Sequence, residues 1–169
     1  MRFSLPSFLL LLATVLGGCQ GYPRLLKFPY DTSGQGLNSP ASELSPQVSD
    51  QYIVFVSDRN GSQDIYLFDA DNRQLLPVPG LNSLDMTASD PSISEDGRYI
   101  VYTASRLGQS EVYIYDRETG IDRNLTDNLQ AEVRHPQISA DGSRITFAAN
   151  RDGQWDILVY DRSGKTIKD

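Results

Sequence analysis

Residues 94–106 read SEDGRYIVYTASR, and residues 139–151 read SADGSRITFAANR, 45 residues later. Each phrase holds an Asp-Gly pair followed by an almost unbroken apolar run. Asp-Gly suits a tight turn because glycine accepts positive φ without steric penalty, and a run that short suits a strand better than a helix. The runs do not alternate apolar with polar, so both faces of the strand they form are expected to be buried.

Working outward, the same spacing relates Pro91 to Pro136 and Val112 to Ile157. A weaker copy precedes them: YIVFVSDRNGSQDIYLFD (52–69) lies over YIVYTASRLGQSEVYIYD (99–116), although SDQY (49–52) is two residues shorter than SEDGRY (94–99). Three repeats follow, 46–90, 91–135 and 136–169. Each supplies successive short strands joined by the turns at Asp96-Gly97 and Asp141-Gly142 and by glycine-containing loops. A fixed period of this size in a β-rich chain marks propeller blades, each of which must bury its faces against a neighbour.

The first 18 residues differ in kind. Met1 and Arg2 precede the apolar stretch Phe8–Leu16, and Leu16-Gly17-Gly18-Cys19 follows. The stretch has the length of a signal-peptide core, and its ending resembles the bacterial lipoprotein box, so residues 1–18 read as a lipoprotein signal peptide and Cys19 as the lipid-attachment residue. Cys19 is the only cysteine, which excludes an intrachain disulfide. Residues 19–45 form a lipidated segment. Within it RLLKFP (24–29) echoes RQLLPVP (73–79), and GLNS occurs at both 36–39 and 80–83. The segment therefore reads as the fourth strand, near Leu25–Phe28, and the exit loop of a blade whose first three strands lie elsewhere.

The net charge of −7 and the absence of a Lys/Arg cluster argue against nucleic acid as a partner, and membrane contact is expected through the lipid anchor only. No Walker loop, G-x-S-x-G or H-E-x-x-H is present, and the single histidine, His135, has no second ligand nearby in sequence. No catalytic residue, metal or cofactor is predicted. His135 reads as a connector residue near the axial channel. An Arg and an acid recur five residues apart at Arg59/Asp64, Arg106/Glu111 and Arg151/Asp156, which reads as a structural ion pair repeated because the blade repeats. Trp155, Tyr66, Tyr113, Tyr115 and Tyr160 are expected to pack between blades.

The pattern P-x-I-S-x-D-G-x-x-I-x-[FY], then S/N-R-x-G-x-x-[DE]-[IV]-Y and a closing LT, fullest at Pro91–Thr126 and again at Pro136–Gly164, resembles the WD-like β-propeller repeats of the TolB family. The resemblance covers 24–169 and implies an all-β fold, a β-propeller of three four-stranded WD-like blades in a partial ring. Because three blades leave two open end faces, a two-fold pair of chains is expected to complete six blades, the strand near Leu25–Phe28 of each completing the third blade of the other. Together with the lipoprotein signal, which departs from the family's soluble namesake, the resemblance implies a non-catalytic envelope protein, facing the periplasm, that binds envelope proteins or peptides and is linked by analogy to Tol-Pal-type maintenance or transport. The alternatives are a propeller sensing a small ligand or cation, and a regulatory propeller for a separate hydrolase. The family's namesake has more blades and an additional α/β domain, for which this chain has no room.

Overall fold

The computed structural model describes residues 33–167. Cys19, the segment 1–18 and the strand expected at Leu25–Phe28 lie outside the described residues. Among those described there is no helix, and the strands form three antiparallel sheets in chain order. The first holds β1 (Glu43–Ser49), β2 (Tyr52–Ser57), β3 (Asp64–Asp69) and β4 (Gln74–Leu76); the second β5 (Thr87–Ile93), β6 (Tyr99–Arg106), β7 (Gln109–Asp116) and β8 (Ile121–Asn124). The third holds β9 (Glu132–Ile138), β10 (Arg144–Arg151) and β11 (Gln154–Asp161). Its fourth strand is reduced, among the described residues, to a single bridge between Tyr160 and Thr166. Among the described residues the third blade thus has three full strands and a stunted fourth, as the weak apolar pattern of residues 164–167 leads one to expect.

Two cores lie between the sheets. Val54, Val56, Ile65 and Leu67 of blade 1 meet Ile93, Ile100, Tyr102 and Tyr115 of blade 2, with Leu81 of the connecting loop wedged among them. Val101, Val112 and Ile114 of blade 2 meet Val133, Ile145, Phe147 and Ala149 of blade 3. The unbroken apolar run of β6 follows from this: alternate residues face opposite neighbours, and both faces are covered. In β10, by contrast, burial alternates along the strand.

The Asp-Gly turns are junction parts as well as hairpins. A Cβ on Gly97 would lie 2.3 Å from Cε2 of Tyr52 in the preceding blade, and one on Gly142 would lie 2.9 Å from Cδ2 of Tyr99. Arg117 lies over the Tyr52 ring and donates to the Gly97 carbonyl at 2.7 Å, while Arg162 lies over Tyr99. Each internal junction is therefore closed by a tyrosine of one blade held between a glycine and an arginine of the next. On the opposite side the connecting loops latch the third strands. Asn82 accepts from the Ile65 N–H and donates to its carbonyl, and Thr126 Oγ1 accepts from the Val112 N–H.

The GLNS echo has a structural counterpart. Residues 34–43 run against the outer face of blade 1 and are held by Arg59, whose guanidinium donates to the carbonyls of Gly34, Gly36 and Leu37 at 3.0–3.1 Å and to Glu43 at 2.9 Å. The same guanidinium stacks on Phe55 and Tyr66.

Candidate partner-binding site at the axial mouth

Each blade begins with a strand that contains X-Pro, and the prolines sit inside these strands rather than opening them. Proline has no N–H for the ladder, so a regular strand cannot hold it without loss. The chain resolves this with a bulge. Ser45-Pro46 faces Phe55 alone, Asp90-Pro91 faces Tyr102, and His135-Pro136 faces Phe147, two residues against one in each case. The residue before proline takes left-handed φ: 48° at Ser45, 48° at Asp90 and 54° at His135. Short polar side chains tolerate that region better than apolar ones. The opposing aromatics are buried and fix the kink.

The three bulges gather on one cavity of about 230 Å³ lined by Ser45, Gln47, Asp90, His135 and Gln137 with the two prolines Pro46 and Pro91. Asp90 Oδ2 and His135 Nδ1 lie 3.5 Å apart across the blade 2–blade 3 junction. Gln47 Oε1 accepts from the Ile93 N–H at 3.0 Å, and Ser92 Oγ from the Ile138 N–H at 3.2 Å, so side chains of one inner strand hold the backbone of the next. Where the blade needs a part, it repeats it: Gly97 and Gly142, Arg117 and Arg162, Phe55, Tyr102 and Phe147. The bulge position varies instead, as Ser, Asp and His at one blade coordinate. His135 therefore belongs to β9 and the axial mouth, and it is not a connector.

A second concavity of about 700 Å³ lies between blades 2 and 3, lined by the Gly108–Glu111 hairpin, the Asp127–Glu132 connection and Asn150. Its ionisable lining is acidic. Glu111 accepts from the Tyr113 hydroxyl.

The three repeated Arg/acid pairs do not form. Arg59 pairs with Glu43, Arg106 pairs with Asp85 at 3.1 Å, and Arg151 has no ion pair among the described residues. The strand register explains this. Asp64 stands opposite Ser57, Glu111 opposite Ala104 and Asp156 opposite Ala149, so each arginine is a diagonal neighbour two residues farther along the strand. Asp64 instead accepts from Ser62. The ion pair that closes a hairpin is one the spacing did not suggest: Arg98 donates twice to Asp116 across the blade and also meets Glu118. Arg98 holds the Asp116 carboxyl below its ordinary range.

Asp96 and Asp141 act as turn acceptors. Asp141 Oδ1 takes hydrogen bonds from the Ser139 hydroxyl and from the Ser143 N–H and hydroxyl, and these donors, Ser139 foremost, pull its carboxyl down to about 2. One buried polar group stands apart. Asp122 Oδ2 accepts from the Tyr102 hydroxyl at 2.7 Å, while its Oδ1 is buried without a hydrogen-bond partner. Burial pushes the Asp122 carboxyl above its ordinary range, against the opposing pull of Tyr102. Tyr115 and Tyr160 are buried, Tyr113 stacks on Tyr102 and Tyr66 on Phe55, and Trp155 lies under the Arg134 guanidinium.

Residues 32–169 match the TolB beta propeller domain. The chain belongs to that family. Among solved structures it is similar to TolB from Acinetobacter baumannii, at 26% identity and a TM-score of 0.62 over 77% of this chain and 32% of that one. It shares its fold with a puromycin-hydrolyzing peptidase of Mycobacterium tuberculosis (16% identity, TM-score 0.56, covering 75% of this chain and 20% of that one). The same holds for a chain of a nidogen/laminin complex (12% identity, TM-score 0.56, covering 73% and 46%). The chain thus spans about a third of the Acinetobacter TolB. No curated protein matches it.

Proposed function

We propose that this TolB-type propeller is a non-catalytic binding module of the bacterial envelope, anchored through lipid on Cys19, facing the periplasm and presenting its axial mouth to an envelope protein or peptide. The observation that carries the reading is the divergence of Ser45, Asp90 and His135 at one repeated, strained coordinate. Left-handed backbone at non-glycine residues destabilises the fold by about 1–3 kcal/mol each and persists where the surroundings enforce it, often at binding sites. A purely architectural position has no reason to change chemistry from blade to blade. Mixed acid, imidazole and amide groups on a rigid concave mouth suit hydrogen bonding to an extended peptide. The Tol-Pal link remains an analogy with the family's namesake.

The test is capture from detergent-solubilised envelope with the full chain as bait, followed by Asp90→Arg and His135→Glu. The reading expects a reproducible protein partner whose recovery falls at least about tenfold in both variants, the size of losing about 1.4 kcal/mol. Capture that is indifferent to both substitutions would refute it, as would stabilisation by a cation or small molecule with no protein bound.

A further inference from the structure

We infer that a second copy of this chain docks on it, the outer face of blade 3 of each copy against the outer face of blade 1 of the other. The two internal junctions define what a docked blade looks like, and the two outer faces carry the same parts undocked. Ile157 of blade 3 is 69% exposed, whereas Val112, at its place in blade 2, is fully covered by blade 3. Val48 of blade 1 is 65% exposed, whereas Ile93, at its place in blade 2, is 1% exposed. Gln137 of blade 3 occupies the position of Gln47, whose side chain accepts from the Ile93 N–H, and Val48 occupies the position of Ile93. Residues 34–43, held by Arg59, already lie on blade 1 where the loop carrying Leu81 lies between blades 1 and 2.

The choice of occupant rests on charge. At both internal junctions a tyrosine, Tyr52 or Tyr99, faces an arginine, Arg117 or Arg162, of the following blade. Blade 3 has exposed Arg144 in the tyrosine's place, with no ion pair among the described residues. A neighbour built like blade 2 or blade 3 would set its own arginine against Arg144. Blade 1 is the exception: it has Ala70 in the arginine's place, exposed Asp71 beside it and exposed Asp50 in the shortened turn. Both halves of the clasp change together, from cation over ring to cation beside carboxylate. Like charge excludes the wrong neighbour and opposite charge favours blade 1. Each contact joins two different faces, blade 3 to blade 1, and two copies make it twice, reciprocally, about a two-fold axis.

The test uses the full chain in its membrane, with a photo-crosslinking amino acid at Ile157. The expected product has twice the chain mass, with the adduct mapped to residues 43–57 of the other copy. On solubilised chain, Arg144→Glu is expected to weaken the pair about tenfold, and Asp50→Arg with Asp71→Arg in the same chain to restore it. A single-chain species at micromolar concentration, or a pair that is indifferent to Arg144→Glu and crosslinks elsewhere, overturns the inference.

Discussion

Replacing Gly97 by alanine tests whether the Asp-Gly turn serves the hairpin alone or the blade junction as well. Gly97 has φ of +69°, and its Cβ would fall 2.3 Å from Cε2 and 2.6 Å from both Cδ2 and Cζ of Tyr52. Left-handed backbone costs an alanine about 1–2 kcal/mol. The overlap forces the Tyr52 ring off its seat beneath Arg117, which by analogy with overpacked cores costs about 1–3 kcal/mol more. The total, about 2–5 kcal/mol, is a large share of the about 5–15 kcal/mol that holds a domain of ordinary stability. Gly108 provides the control: its φ is +83°, and nothing lies within 4 Å of its Cβ. Gly108→Ala should therefore show the backbone cost only. Urea unfolding of both variants, with the midpoint read at constant m-value, measures the difference. Adding Tyr52→Leu should recover most of the excess in Gly97→Ala and none of the loss in Gly108→Ala. Equal destabilisation by the two alanines would refute the junction reading.

Arg59→Ala should destabilise by about 2–4 kcal/mol, since a nearly buried guanidinium leaves three carbonyls and Glu43 without their donor; faster hydrogen exchange at 34–43 would show that this segment is what comes loose. The Asp122 carboxyl titrates above its ordinary range when folded, so the folded state holds its proton more tightly, and stability from this group declines as pH rises through the unfolded value toward the folded one. Urea midpoints between pH 4 and pH 7 should accordingly fall less for Asp122→Asn than for the parent; parallel curves would contradict the assignment. Asp141 has the opposite sign: with its folded value at about 2, its contribution is present above the unfolded value and is lost as pH falls toward 2. Carboxyl NMR shifts should show Asp141 still ionised at pH 3, and Ser139→Ala should move its midpoint upward.

The three-blade order, the strand-turn-strand phrase and the burial of β6 on both faces were all legible, because a period of 45 residues and an unbroken apolar run are one-dimensional signals of a stacked sheet. The axial mouth was not. X-Pro reads locally as the start of a strand, and only pairing against Phe55, Tyr102 and Phe147 shows that proline sits inside one, at a bulge. The Arg/acid spacing misled for a related reason. Five residues across a hairpin places two side chains on one face, but diagonally, and Arg59, nearly buried with 6% of its side chain exposed, found Glu43, 16 positions away, and the carbonyls of Gly34, Gly36 and Leu37, farther still along the chain. The pair that did close a blade, Arg98 with Asp116, joins the Asp-Gly turn to the end of β7, because the bulge-free β6–β7 register sets Asp116 opposite Tyr99, next to Arg98.

By itself the sequence determined the architecture: how many blades, where each turns, and which faces must be covered, since apolar pattern and glycine placement act through neighbours close along the chain. It did not say what each repeated residue touches. Only the tertiary structure decided that Gly97 and Gly142 make room for tyrosines of the preceding blade, that three proline bulges meet on one cavity, and that Ile157 and Val48 stand uncovered where Val112 and Ile93 are buried. Those contacts join residues about 45 positions apart, and their energies depend on distances and on exclusion of water that exist only once the sheets have packed.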